Sequence, residues 1–459
     1  MMQKNNLHPS TSIIIGGGLV GSLLAIYLRQ KNQRAIIYES RDDIRLNQRA
    51  QGRSINLVLT NRGLNALKKV GLDQEILKLT NPVSGRMIHQ KNIGNYYQPY
   101  GVNGECNYSV SRLALNQKLL SLAEELGAEL NFNVKISSPD QIDHLKQMIS
   151  INSHQVQYDF LYGTDGINSI IRKKVLALNN GEENLSYLNV DYKEFLMPAK
   201  SDGDHFLIDE KSLHIWPNGK HFVMGLPNQD GTFTMTLYLA PKNENEMNDS
   251  CDNISFDQMH SASDYQNFLS SYYPELLELV PDASNQLWQN PQGKLATLKC
   301  SPWYYDRSIL LLGDASHAIT PFFGQGMNSG FEDIFYWDQY FNLILNGTEL
   351  SWKNYFLSRK INTDAIAEMA LENYFEMSEK VKNPDFIFCK KIEQELERKF
   401  PEKFHSRYHQ VMYGLNPYKE AFDLGVTNQK LINQIANKFT HLEEINWTWV
   451  SEIMTQNER

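Results

Sequence analysis

Thr11-Ser12-Ile13-Ile14-Ile15-Gly16-Gly17-Gly18-Leu19-Val20-Gly21-Ser22-Leu23-Leu24 is followed, after a run of helical spacing through Tyr27 and Leu28, by Ala35-Ile36-Ile37-Tyr38-Glu39. The apolar run before Gly16 reads as a short buried strand. Leu19, Val20, Leu23, Leu24, Tyr27 and Leu28 recur at the period of a helix. The second apolar run is another strand, and it ends on an acid. Strand, glycine turn, helix, strand and acid together form a dinucleotide-binding fingerprint in its full context. Gly16 makes the tight turn, Gly18 lets the backbone approach a pyrophosphate, and Gly21 lets the helix pack closely on the strand. The helix N-terminus offers free N–H groups and positive potential to phosphates. Glu39 is placed to accept hydrogen bonds from ribose hydroxyls. A signal peptide would have no need of three spaced glycines, and Arg29, Lys31 and Arg34 do not form a cleavage site.

Composition narrows the field. A chain of 459 residues with 41% hydrophobic content can hold two or three domains or one elaborated domain. The net charge of −9, with no basic block, argues against a nucleic-acid partner. Cys106, Cys251, Cys300 and Cys389 are far apart without a Cys-x-x-Cys pair, which suits a reducing cytoplasm and suggests neither disulfide framework nor zinc site. The 12 histidines are expected to be surface or core residues, and no metal is expected. No uncharged apolar run has bilayer-spanning length outside the glycine-bearing stretch.

Further along, residues 61–70 read as a helix, and 86–100 have strand character. Ser109-Val110-Ser111-Arg112 leads into another helix. Residues 129–136 and 149–156 look like a strand pair. From 187 to 239 the apolar period shifts towards two, with 206–208, 213–216, 222–225 and 233–238 as antiparallel strands between turns such as Pro217-Asn218-Gly219. Residues 243–253 read as a polar loop, 263–279 as a helix, 308–312 as a central strand and 327–345 as a helix. The rest is helical in pattern. Gly163-Thr164-Asp165-Gly166 and Gly313-Asp314 each follow an apolar run. Singly they are turns. As a set after the fingerprint they point to FAD, with Asp314 reaching a second ribose or pyrophosphate region and Asp165 holding a loop.

In this order the three motifs resemble the group A flavoprotein monooxygenases of the para-hydroxybenzoate hydroxylase type. Gly52-Arg53-Ser54-Ile55-Asn56-Leu57, Arg86-Met87-Ile88-His89, Pro99-Tyr100-Gly101, Ser109-Val110-Ser111-Arg112, Leu213-His214-Ile215-Trp216-Pro217, Pro321-Phe322-Phe323-Gly324-Gln325-Gly326-Met327-Asn328 and Glu372-Asn373-Tyr374-Phe375-Glu376-Met377 are similar, more narrowly, to the kynurenine 3-monooxygenase family. The resemblance covers the chain to about Tyr413. It implies an α/β fold: a Rossmann-type FAD-binding domain (1–82, 105–180 and 300–370), an inserted antiparallel-sheet substrate domain (83–104 and 181–299) and a C-terminal helical region (371–459).

The resemblance also implies a reaction. NADPH reduces FAD without a lasting site of its own, in keeping with the lack of a second Gly-x-Gly-x-x-Gly. O2 adds at flavin C4a, and one oxygen atom passes to the ring of L-kynurenine ortho to its amine. Pro321, Phe322, Gly324 and Gln325 are implied at the reaction centre, the first two as an apolar wall and Gln325 beside an oxygen pocket. The helix opened by Gly326, Met327 and Asn328 would face the flavin N1–C2=O edge. Arg86 is implied for the substrate carboxylate, which a guanidinium grips with two parallel hydrogen bonds. Tyr100, Asn373 and Tyr408 are implied beside it. Leu19, Val20, Arg41, Arg53, Val58, Arg112 and Val134 join Gly16, Gly18, Gly21, Glu39, Asp165 and Asp314 as implied FAD contacts. Taken alone, Phe322-Phe323 is ordinary core, Asn373 a buried helix polar residue, Arg112 a surface cation and Arg53 a salt-bridge partner.

Eukaryotic members of that family end in a hydrophobic anchor. Residues 440–459, with Glu443, Glu444 and Glu452, are too polar to span a bilayer, so a soluble, bacterial-type, cytoplasmic member is expected. Three other readings stay open. Other aromatic acids would suit the same arginine anchor. Flavin-dependent halogenases share the fold, but Trp447-Thr448-Trp449 lacks their Ile-Pro and lies near the C-terminus, so it reads as helix packing. A flavin-binding sensor without turnover is the third.

Overall fold

The computed structural model describes residues 10–46, 56–90, 94–200, 205–242, 254–345, 351–377 and 383–457. Arg53 and the 243–253 stretch lie outside them. A six-stranded sheet runs in the order Tyr304–Tyr305, Ile309–Leu311, Phe160–Gly163, Thr11–Ile15, Arg34–Tyr38, Glu129–Asn131. All its pairings are parallel except that of Tyr304–Tyr305. Ile15 lies beside Gly163, and Gly163 beside Leu311. Three strands therefore end level, and the three glycine motifs of the sequence meet at one sheet edge. The fingerprint helix Leu19–Gln30 packs against helices Arg112–Glu125 and Gly326–Leu345. Its residues 21–28 are all buried, which makes it a central helix rather than an amphipathic surface one.

The second sheet has seven strands, in the order Gly293–Ser301, Glu182–Met197, Phe233–Leu239, His221–Pro227, Ser212–Asn218, Gly85–Gln90, Gly94–Pro99. It is antiparallel except where Gly85–Gln90 runs parallel to Ser212–Asn218, which sets Arg86 beside Leu213. One face carries Phe195, Trp216, Val223, Met235 and Leu237 against helices Ala262–Tyr272, Pro274–Leu279 and Ala283–Gln289. The other carries Leu213, Phe222, Leu226 and Tyr238 towards Phe322 and Met377. Strand alternation thus builds a helical cap on one side and a cavity wall on the other.

Three sequence expectations are corrected. Residues 129–136 and 149–156 do not pair. Glu129–Asn131 joins the main sheet beside Arg34–Tyr38, while Met148–Ile151 turns back on His154–Gln157. The cause is the two-residue turn at Asn152 and Ser153, with φ of 47° and 67°, the geometry of a tight hairpin. Residues 206–208 form no strand; Phe206, Leu207 and Ile208 pack against the helical cap. The 263–279 helix breaks at Tyr273, where Pro274 restarts it as a second helix.

The C-terminal region holds helices Ser351–Phe375, Pro384–Lys399, Arg407–Met412, Tyr418–Ala436 and Trp447–Asn457. Ile392, Leu396, Ile432, Ile435 and Val450 form a core of their own. Trp447 and Trp449 pack on Phe400 and Phe439, as helix packing requires. Among the described residues no helix is long and apolar enough to cross a membrane.

Buried charges tie this region to the main sheet. Arg359 bonds Glu332 Oε2 at 2.6 Å and Asp333 Oδ1 at 2.9 Å, and Arg62 bonds Glu332 Oε1 at 2.7 Å. Arg62 also donates to the carbonyls of Gln410, Val411 and Asn416 and lies 3.9 Å from the centre of the Tyr418 ring. Arg359→Met would leave Glu332 with Arg62 as its one arginine and Asp333 with none, both still buried. We expect a loss of about 3–5 kcal/mol, as when one partner of a buried pair is removed, read from the urea midpoint of the purified protein. A loss below about 1 kcal/mol, the range of exposed pairs, would show that the network does not hold the fold.

Candidate active site

At the sheet edge, Gly16 sits at φ 108°, and a Cβ there would lie 2.5 Å from the Thr164 carbonyl oxygen. A Cβ on Gly21 would run into the Gly16 carbonyl and sit 2.7 Å from Thr164 Oγ1. Gly18 differs: its Cβ would meet nothing within 4 Å. Gly18 is the N-cap of Leu19–Gln30, makes no side-chain cap, and has no acid in the turn that follows. The first-turn N–H groups, which lack helical partners, therefore face open space with no competing anion. That geometry suits a pyrophosphate.

A cavity of about 410 Å³ begins there. Gly18, Leu19 and Val20 line it, as do Val58, Arg112, Asp314, Gly324, Gly326 and Met327. Asp314 opens onto this interior space. Burial raises its pKa, and the positive charge of Arg112 opposes the rise. Beyond it, Pro321 and Phe322 form a wall, with the Phe322 ring 5.4 Å from Tyr238 and 4.7 Å from Tyr374. Gly324 turns the chain at φ 64°, and its missing side chain leaves room beside Val58, 3.1 Å from where a Cβ would be. Asn328 stitches this loop down: its Nδ2 bonds the carbonyls of Val58 and Gly324, and its Oδ1 takes the Thr60 N–H.

Arg86 closes the far end of the cavity. Its guanidinium carbon lies 5.6 Å from the Tyr100 ring and 5.3 Å from the Tyr408 ring, which stack 5.2 Å apart. Among the described residues no carboxylate lies within 4 Å of it. Burial works against its charge, but Tyr408, Tyr100 and Glu376 more than offset this and raise its pKa. Burial keeps the Tyr100 phenol protonated and pushes that of Tyr408 well above the usual range. Asn107 donates to the Tyr408 hydroxyl at 2.9 Å. Behind this cluster lies a second cavity of about 1050 Å³, walled by residues 96–102 and the C-terminal helices. Arg86, Tyr100, Phe323, Met377 and Tyr408 border both.

The family model described as "FAD binding domain" matches residues 10–353. A kynurenine 3-monooxygenase of Flavobacterium psychrophilum is 39% identical, over 96% of this chain and 95% of its own. One from Dictyostelium discoideum is 36% identical over 96% of each. The chain belongs to the kynurenine 3-monooxygenase family. Solved structures share the fold: a 2-methyl-3-hydroxypyridine-5-carboxylic acid oxygenase (TM-score 0.64, 17% identity, 83% of this chain and 96% of that one) and Pseudomonas aeruginosa PqsL (0.62, 16%, 79% and 95%).

Against the expectations drawn from the kynurenine 3-monooxygenase family, the structure brings Arg86, Tyr100, Tyr408, Pro321, Phe322, Gly324 and the phosphate-end residues to one cavity, and sets others apart. Gln325 does not line it. The residue is fully buried, its Oε1 accepts from the Tyr418 hydroxyl at 2.7 Å, and its Nε2 faces Met412 Sδ at 3.2 Å. Asn328 is likewise turned inward as a stitch. Asp165 caps helix Ile170–Asn179 through the Ile170 N–H at 2.7 Å, while Thr164, Gly166 and Ile167 line the cavity. Asn373 bonds the Phe322 carbonyl and borders only the second cavity. Glu39 is not a free acceptor: it takes the Gly17 N–H at 2.8 Å and the Arg41 Nε at 2.8 Å. Burial raises its pKa, but those hydrogen bonds, Arg41 first, outweigh it, and the net shift is downward. Val134 donates its N–H to the Glu39 carbonyl. Sequence reasoning missed Asn107, Thr164 and the sheet positions Leu213, Met224, Leu226 and Tyr238. The last four share a sheet face with Arg86 only through the strand register, Leu213 opposite Arg86 and Phe222 opposite Tyr238, which no residue spacing in the sequence shows.

Gly18 and Gly21 separate binding from folding. Gly18→Val is expected to purify folded and colourless, because its side chain enters the cradle. Gly21→Val is expected to lower the melting temperature, because its side chain meets backbone. Flavin absorbance and a thermal melt of each variant check this. A yellow Gly18→Val protein would place the phosphates elsewhere.

Proposed function

We propose that this chain hydroxylates L-kynurenine to 3-hydroxy-L-kynurenine with NADPH and O2. The observation that carries this is Arg86: a guanidinium with no carboxylate within 4 Å among the described residues, at the end of a cavity that starts at the glycine turn of the dinucleotide fingerprint. Gly18, Leu19, Val20, Arg112, Asp314, Gly324, Gly326 and Met327 would hold FAD, which when bound would supply the redox chemistry that links NADPH oxidation to insertion of one oxygen atom of O2.

The protein's own task is placement. Arg86 grips the carboxylate with two parallel hydrogen bonds, and the neutral phenols of Tyr100 and Tyr408 flank it. Leu213, Leu226, Tyr238 and Phe322 hold the aromatic ring against the flavin side and exclude water. Asn373 fixes the Phe322 carbonyl and so the wall. The substrate's ring amine already activates its ortho carbon, so no protein base is needed to generate the nucleophile. We further infer a cytoplasmic setting, supported by the free thiols of Cys106, Cys300 and Cys389.

Arg86→Met tests the anchor. It should keep FAD, since Arg86 lies away from the phosphate cradle. It should weaken kynurenine binding by roughly 2–5 kcal/mol, as when one partner of a desolvated charge pair is lost, and abolish kynurenine-stimulated NADPH oxidation. Arg86→Lys should rescue only part, because an ammonium lacks the two-pronged geometry. The measurement is a kynurenine titration of flavin absorbance, with product analysis alongside. Unchanged affinity in Arg86→Met would move the carboxylate elsewhere; turnover of another aromatic acid in preference to kynurenine would change the substrate.

A further inference from the structure

Two of the histidines expected to be surface or core residues, His405 and His409, stand four positions apart on either side of Tyr408. Their rings stack 4.7 Å apart at 20°. Facing them is Glu397, only 6% exposed, on helix Pro384–Lys399. One ligand atom from each of the three lies within 4.8 Å of the others, with His409 Nδ1 and Glu397 Oε1 4.0 Å apart. The Glu397 carboxylate accepts the Ser406 N–H at 2.7 Å, and among the described residues no lysine or arginine lies within 4 Å of it. Glu105 and Glu393 add to the negative potential around it. A buried carboxylate without a cation, opposite two imidazoles, is a costly arrangement for a site with no ligand.

We propose that Glu397, His405 and His409 bind a divalent ion of the zinc class and that its binding acts on Tyr408. Two imidazoles and a carboxylate are a zinc donor set that leaves a fourth position for water. Bonds of about 2.0–2.2 Å place tetrahedral ligand atoms roughly 3.4 Å apart, so the three groups need close by about an ångström. Because Tyr408 lies between the two histidines, that contraction draws on the residue that stacks on Tyr100 and takes the Asn107 hydrogen bond. Metal occupancy then weakens the Arg86 pocket. The second half rests on the substrate placement proposed above; the first does not.

The test uses FAD-loaded protein without a polyhistidine tag, treated with chelator and titrated with Co2+. Tetrahedral cobalt bands should grow to one equivalent at wavelengths beyond the flavin absorption and should be displaced by Zn2+. His405→Ala/His409→Ala should lose them. Glu397→Gln, which keeps the shape and the Ser406 acceptor, should weaken Co2+ binding by at least the roughly 10–100-fold that loss of a ligand's supporting partner costs. Flavin content should be unchanged in both variants. Absent bands, or equal bands in the variants, would overturn the site. In wild type, Zn2+ should raise KM for kynurenine severalfold with kcat little changed, and should do nothing to the double variant; an unmoved KM would overturn the coupling to Tyr408 while leaving the metal result and the substrate assignment to stand on their own measurements.

Discussion

The position of the flavin-side loop depends on a set of buried charges. Arg62, Glu332, Arg359 and Asp333 are removed from water together, and each finds at least one opposite partner. His317 adds a 2.5 Å contact to Asp333, which also takes the Gly313 N–H. Such a network is stable only when complete, because any one charge left alone bears its full desolvation cost. Its reach is long. Gly313 is at the end of a central strand, Glu332 and Asp333 are on the helix that follows the 321–328 loop, and Arg62 holds three carbonyls of the C-terminal region. Tyr418, beneath Arg62, bonds Gln325 inside the loop itself. The loop is therefore held from behind by residues nearly a hundred positions away.

A second constraint is the contrast between the ends of the site. The phosphate end is built from backbone: glycines, N–H groups and one level sheet edge. The opposite end is built from side chains: one guanidinium and two stacked phenols. The wall between them mixes apolar residues such as Leu213, Leu226 and Phe322 with Glu194, Thr234, Thr236 and Lys294, so polar groups at fixed positions orient a ligand along it. The ring faces of the neutral Tyr100 and Tyr408 and the charge of Glu376 favour the Arg86 cation against its burial. The same cluster separates the site from the larger cavity behind it, and so the C-terminal helices close the pocket as well as packing on it.

The fingerprint, the level strand ends and the division into two sheets and a helical tail were legible from residues alone. Glycine at φ 108° and apolar runs of five residues are local facts, and parallel strands joined by helices have one favoured hand. The failures have local causes too. The Asn152-Ser153 turn carries no glycine, and 206–208 has strand composition but spends its apolar surface on the helical cap.

The sequence by itself determined which segments are strands and helices near the cofactor end, and that the turn after the first strand has the glycines a phosphate-binding turn requires, because backbone conformation and free N–H groups follow from neighbouring residues. The tertiary structure alone decided which side chains face the cavity. Gln325 turns away while Gly324 and Gly326 line it, since Tyr418 and Met412 supply Gln325 with partners. Tyr408 reaches Asn107 across 301 positions. Glu397 meets His405 and His409 only when helix Pro384–Lys399 packs against the turn and short helix that carry them. Orientation of a polar group is set by the partner it finds on burial, and that partner is fixed by packing between distant segments rather than by sequence neighbours.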